Sequence, residues 1–156
     1  MLIFRMFPQR AWNGRLTAAL ACALEEQAPL GIAIEWQMTI RLDERNRPEP
    51  DLLATTAPYV PDCTFFTPDT VLLVVEVVSP ESAYRDRAVK PRKYAEAGIA
   101  HYWRVEDEAW SPVVHSYELD EPARRYELTG VHRGTLRTAR PFAMAIDLDG
   151  LLSPRR

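Results

Sequence analysis

Cysteine, histidine and long apolar runs are all scarce in this sequence, and each scarcity argues against a class of protein. Two cysteines occur, Cys22 in an alanine-rich helical pattern and Cys63 after Pro61-Asp62, with no CxxC and no histidine at zinc-ligand spacing. Both read as reduced thiols without the neighbouring base that a nucleophile needs. The three histidines, His101, His115 and His132, are scattered, which argues against a His-rich metal centre. No stretch reaches the roughly 18 apolar residues of a membrane span. The opening MLIFRMFPQR, broken by Arg5 and Pro8, has no small-residue cleavage site and does not read as a signal peptide. The expected location is therefore cytoplasmic. An excess of positive charge is missing too: the net charge is −3 and the pI about 5.6, so any basic surface must be local. Repeats, linkers and low-complexity tracts are absent.

What is present suits one domain over residues 1–156, with 47% hydrophobic residues to fill its core. Trp12, Leu16, Leu20 and Leu24 form a helical stripe within residues 10–27, stopped by Pro29 and Gly31. In GIAIEWQMTIRL, Ile32, Ile34, Trp36, Met38 and Ile40 alternate with smaller or polar residues, the period of a strand with one buried face. The turn DERN lets PEPDLLATT return as its antiparallel partner. APYVPDCTFFTPD, with three prolines and two Pro-Asp pairs, reads as a loop. Residues 71–78 are a strand buried on both faces. Residues 84–97 turn helical and end at Gly98, but Pro91 would cost a helix interior a hydrogen bond, so the regular helix is expected to begin near Lys90. IAHYWRVE, PVVHSYEL, RYELTG and TLRTARPFAMAIDL read as further short strands. The fold class is mixed α/β.

The chemistry begins with Glu76, a carboxylate inside VLLVVEVVS, where leaving it unpaired would be expensive. Asp51, opening the preceding strand, is a second. Two acidic side chains from neighbouring strand ends can share one Mg²⁺ (or Mn²⁺), which prefers oxygen donors, and the backbone carbonyl of Val78 is placed to join them. Asp86, Lys90 and Tyr94 recur at i, i+4 and i+8 and so stack on one side of the following helix. A lysine there can position a water or offset charge on a phosphate.

These pieces, RPEPDLLA, VVEVVSPES, DRAVKPRKYAEAG and HYWRV, resemble the Uma-type putative restriction endonuclease family of the PD-(D/E)xK nuclease superfamily over roughly residues 12–147. The resemblance implies a restriction-endonuclease-like fold, a central mixed β-sheet flanked by helices, and divalent-metal-dependent hydrolysis of DNA phosphodiesters. By position, Asp51 and Glu76 match its acidic ligands and Lys90 its lysine. Many superfamily members carry that lysine two residues after the glutamate; here Val78 stands there, so the lysine has either moved to the helix, as Lys90, or is missing. Asn13 falls where family members often carry a histidine.

Ordinary alternatives stand beside each of these readings. The alternative for Glu76, set behind metal ligation, is a buried carboxylate paired with an Arg or Lys, and Asp62 and Asp69 rival Asp51, although only Asp51 is followed by strand-like LLA. Lys90 can pair with Asp86 on a solvated face. Lys93 lies about 300° from Lys90 at ~100° per residue and cannot share its role. Tyr94 reads as a core aromatic, and Ser79 as a cap or a support for the metal ligands. Residues 85–93 carry five cations against Asp86, a local +4 able to approach a phosphate backbone. The leading reading is a DNA endonuclease; the alternatives are a catalytically silent binding or regulatory module on the same fold, or a hydrolase of another phosphoester. Aromatic strands HYWRV and PVVHSYEL suggest a homodimer with Tyr102, Trp103 or Val113 to Tyr117 at the interface, unless these side chains fill the core.

Overall fold

A computed structural model describes residues 10–153, so the signal-peptide reading of residues 1–9 lies outside it. The helix α1 (Ala11–Gln27) packs its Leu16, Leu20 and Leu24 stripe inward, as the 3.6-residue period requires. The expected long strand after it is broken in two, β1 (Ala33–Trp36) and β2 (Thr39–Ile40), because Gln37 takes a φ of 50°. β3 (Leu52–Thr55) returns antiparallel to β1, with Trp36 opposite Leu52. The proline-rich segment expected to be a loop contains a two-residue strand, β4 (Phe65–Phe66), that pairs in parallel with β2.

The central strand β5 (Val71–Val77) leads through a π-helical turn (Arg85–Val89) into α2 (Lys90–Glu96), then into β6 (His101–Glu108). Pro91 explains the turn: placed in the first turn of α2, it loses no hydrogen bond, and the wider turn precedes it. The chain ends with β7 (Ser111–Asp120), β8 (Arg125–His132), β9 (Thr135–Thr138) and β10 (Met144–Asp147). Six strands form one sheet in the order β1-β3-β5-β6-β7-β8. Only β5 and β6 run parallel, as a helical crossover between them permits; the other pairs are antiparallel, so the sheet is mixed.

Alternation along β5 divides the core. Leu73, Val75 and Val77 face α1 together with Trp103, Leu136 and Ile146. Val74 belongs to the opposite cluster with Ile40, Phe66, Tyr94, Ile99 and Tyr102. Glu76 shares the face of Val74 by the two-residue period, which aims its carboxylate at α2. Tyr102 and Trp103 are thus core side chains on either face of β6, and β7 is interior to the sheet. Of the two placements considered for these aromatics, the core is the one they take, and the strands at the sheet edges are β1 and β8.

Candidate active site

Glu76 is 2% exposed and both of its oxygens are engaged. Lys90 Nζ donates to Oε2 at 2.9 Å, and the Tyr94 hydroxyl donates to Oε1 at 3.0 Å. Because the π-helical turn precedes Pro91, α2 lays Lys90 and Tyr94 onto β5 one turn apart. The ammonium therefore reaches the carboxylate from the helix, where Val78 leaves no lysine on the strand.

A third acid completes the cluster, and the sequence had shown it only as a helical neighbour of Lys90. Asp86 is 1% exposed. Its Oδ2 accepts from Ser82 Oγ at 2.5 Å, and Lys90 Nζ stands 3.3 Å from Oδ1, an ion pair whose alignment leaves Oδ1 without a hydrogen bond among the described residues. The backbone carbonyl of Asp86 accepts from the Tyr102 hydroxyl. Asp86 reads as solvated in the sequence because an i, i+4 acid and base usually lie on an exposed helix face. Its burial follows from the aromatic floor of Tyr94 and Tyr102 beneath it, which only the tertiary structure reveals.

Asp51 immediately precedes β3, and its Oδ2 accepts the Val77 N–H at 2.7 Å. With Leu52 opposite Val75, this places Asp51 beside the end of β5 that carries Glu76. The Val78 carbonyl accepts from Asn13 Nδ2 at 3.1 Å, and Asn13 Oδ1 in turn accepts from Arg10 Nε at 2.9 Å. Asn13 is 2% exposed, so the residue standing at the histidine position of the resemblance holds the carbonyl expected to bind metal.

The remaining candidates lie elsewhere. Asp62 and Asp69 are exposed, and Lys93 bonds Asn46 at the surface. Ser79 joins Ser82 in the turn that supports Asp86. His101 faces Glu118, His115 faces Glu106, and His132 meets Ser116. Among the described residues no three His, Cys, Asp or Glu side chains are grouped to hold a metal ion.

Burial dominates the electrostatics. It pushes the Glu76 carboxyl up to about 8; Lys90 opposes the rise, and the charges of Asp86 and Asp51 add to it. Burial alone would lower Lys90, but the Glu76 and Asp86 carboxylates outweigh it and hold the ammonium above its usual range. Tyr94 is pushed well above the ordinary phenol, by burial first and by Glu76 second, so it serves as a donor. One ammonium thus stands among more carboxylates than it can neutralise.

The family model Uma2, described as "Putative restriction endonuclease", matches residues 3–149. No curated protein matches the chain. A crystal structure of a putative nuclease belonging to DUF820 from Anabaena variabilis has a similar fold, with a TM-score of 0.72 and 12% sequence identity, over 96% of this chain and 84% of that one.

Proposed function

Because the chain belongs to the Uma2 family of putative restriction endonucleases and has the restriction-endonuclease-like fold, we propose that it is a single-domain, cytoplasmic, metal-dependent endonuclease that hydrolyses DNA phosphodiesters and works as a homodimer. The observation that carries this reading is the buried Glu76 carboxylate beside Asp51, with Lys90 Nζ 2.9 Å away. The donor set suits Mg²⁺ or Mn²⁺, since two carboxylates and the Val78 carbonyl are hard oxygen ligands and Mg²⁺ keeps several of its waters. A set of two side chains and a carbonyl also needs no third acidic ligand. The charge suits it as well: a carboxyl pushed up by burial and by neighbouring acids is one that a cation would hold ionised.

Each residue then has a task. Asp51, Glu76 and the Val78 carbonyl hold the cation, and Asn13 fixes the direction of that carbonyl. A bound divalent cation supplies charge neutralisation at a phosphodiester and makes water more acidic. Lys90, a quarter exposed along its side chain, orients the attacking water or offsets charge on a phosphate oxygen. Asp86 keeps the lysine charged and aimed.

Calorimetric titration with Mg²⁺ and Mn²⁺ tests the ligands. Wild type is expected to bind and Glu76→Ala to lose at least tenfold in affinity; equal binding by the two proteins sinks the metal assignment. A second reading, a silent module that keeps the fold, is favoured by the two hydrogen bonds that already close Glu76 off. Nicking of supercoiled plasmid in Mn²⁺ separates the readings, with cutting expected from wild type and not from Lys90→Ala. No cutting by either protein favours the silent module.

A further inference from the structure

Beside the Glu76 cluster lies a pocket of about 550 Å³ whose charge opposes that of the whole molecule. Arg87 and Arg92 line it from the π-helical turn and α2, Arg104 from β6, Arg124 from the turn between β7 and β8, and Arg125 from the first position of β8. Among the described residues Glu96 is the one acid in its lining. Arg104 is the register partner of Glu76 on the neighbouring parallel strand, so the two side chains leave adjacent strands on the same sheet face.

The pocket is built rather than a solvated basic face. Arg124 holds a φ of 52°, uncommon for a residue with a side chain, and its amide donates to the Asp120 carbonyl at 2.8 Å. Its guanidinium lies over Gly98, where a Cβ would stand 2.7 Å from Nη1. The glycine that ends α2, at a φ of 86°, therefore also makes room for the arginine. Arg104 sits 5.6 Å over the Tyr117 ring, and Tyr126 stacks on Tyr102 with its hydroxyl donating to the Ile99 carbonyl at 2.8 Å. Glu106 occupies Arg87 and Arg104. Arg124 and Arg125 meet no carboxylate among the described residues.

We propose that this pocket holds a backbone phosphate of a nucleic-acid strand lying across the Glu76 site, with Arg124 and Arg125 as its principal ligands; the assignment of that strand as substrate rests on the nuclease reading. Arginine forks match phosphate oxygens in pairs, where a lysine offers a point charge. Fixed tyrosine rings beside them provide a face for an adjoining base or sugar.

Fluorescence anisotropy with labelled single-stranded and duplex DNA oligonucleotides tests this, in EDTA so that nothing is cut, over a range of salt. The double variant Arg124→Asn, Arg125→Gln is suitable because asparagine tolerates a positive φ. It is expected to bind about tenfold or more weakly, and its log–log salt slope to fall by about 1 to 2, since each phosphate contact contributes roughly 0.7–0.9. Arg125→Gln alone, at an exposed position, should show about half the slope change even if the double variant folds poorly. Wild-type affinity and slope in both variants overturn the proposal, as does a wild type that binds neither oligonucleotide. Calorimetry with a nucleoside diphosphate separates the sources of phosphate: binding of the diphosphate that the double variant loses, with strand binding unchanged, also overturns it. If wild type cuts no plasmid while the variants lose strand affinity, the nuclease reading fails and the pocket stands.

Discussion

Glu76 concentrates the energetics of the site in one side chain, because its two protonation states differ in cost. Its carboxyl is pushed to about 8 in the folded protein against 4.5 when unfolded. Between those values the folded state binds more protons than the unfolded chain, so stability falls as pH rises through the window. At about 1.4 kcal/mol per unit, the loss is on the order of a few kcal/mol by pH 8. Urea unfolding of wild type and Glu76→Gln from pH 4.5 to pH 8 checks this. Wild type is expected to lose stability relative to the glutamine variant as pH rises, and parallel curves would contradict it. If Glu76 holds a cation as proposed, the same protonation couples to metal, since the cation must displace the proton. Mg²⁺ binding is thus expected to strengthen as pH rises toward 8 and to release protons, visible as a dependence of calorimetric heat on the buffer's ionisation enthalpy.

Between β6 and β7 the chain turns on two residues, Ala109 and Trp110, with φ of 51° and 67°. A two-residue hairpin turn with both φ positive matches strand twist but favours Asn and Gly, so Ala109 carries strain. The strain is held by neighbours: Asp107 Oδ1 accepts the Trp110 N–H at 2.6 Å, and Trp110 meets Trp12 edge-on at 6.4 Å. Ala109→Gly is expected to raise stability by about 1 kcal/mol, read as a higher melting temperature; a lower one would mean the turn is not strained. Elements of this kind mark what the sequence makes legible. The helix of α1, the strand of β5 and the start of α2 at Lys90 follow from local periodicity and from Pro91. The break at Gln37 and the pairing of β4 with β2 do not, because each depends on partners distant in the chain. The candidate site divides the same way. Glu76 stands out as a charge in an apolar run, and Lys90 and Tyr94 by their spacing. The burial of Asp86 and the bond from Asn13 to the Val78 carbonyl arise only when the helices close on the sheet.

At the scale of the whole molecule, the proposed homodimer needs an interface that the strands expected for it do not provide. Tyr102, Trp103, Val113 and Val114 are each at most 2% exposed, and β7 has a strand on either side. Of the two sheet edges, β1 and β8, the second carries Leu128 at 54% and Val131 at 39% exposure. An edge strand with unpaired backbone groups and exposed branched side chains invites a second strand, and two copies of β8 related by a two-fold axis would pair antiparallel and cover both residues. A β1 edge contact is the less apt choice, since among its side chains only Trp36 offers a large exposed apolar surface. Light scattering at micromolar concentration is expected to give about twice the 17.8 kDa chain mass for wild type. The double variant Leu128→Lys, Val131→Lys places like charges on the edge and is expected to return the monomer mass while leaving the melting temperature of the monomer fold nearly unchanged. A wild-type mass near one chain at every concentration removes the dimer. A variant that still dimerises removes β8 as its interface.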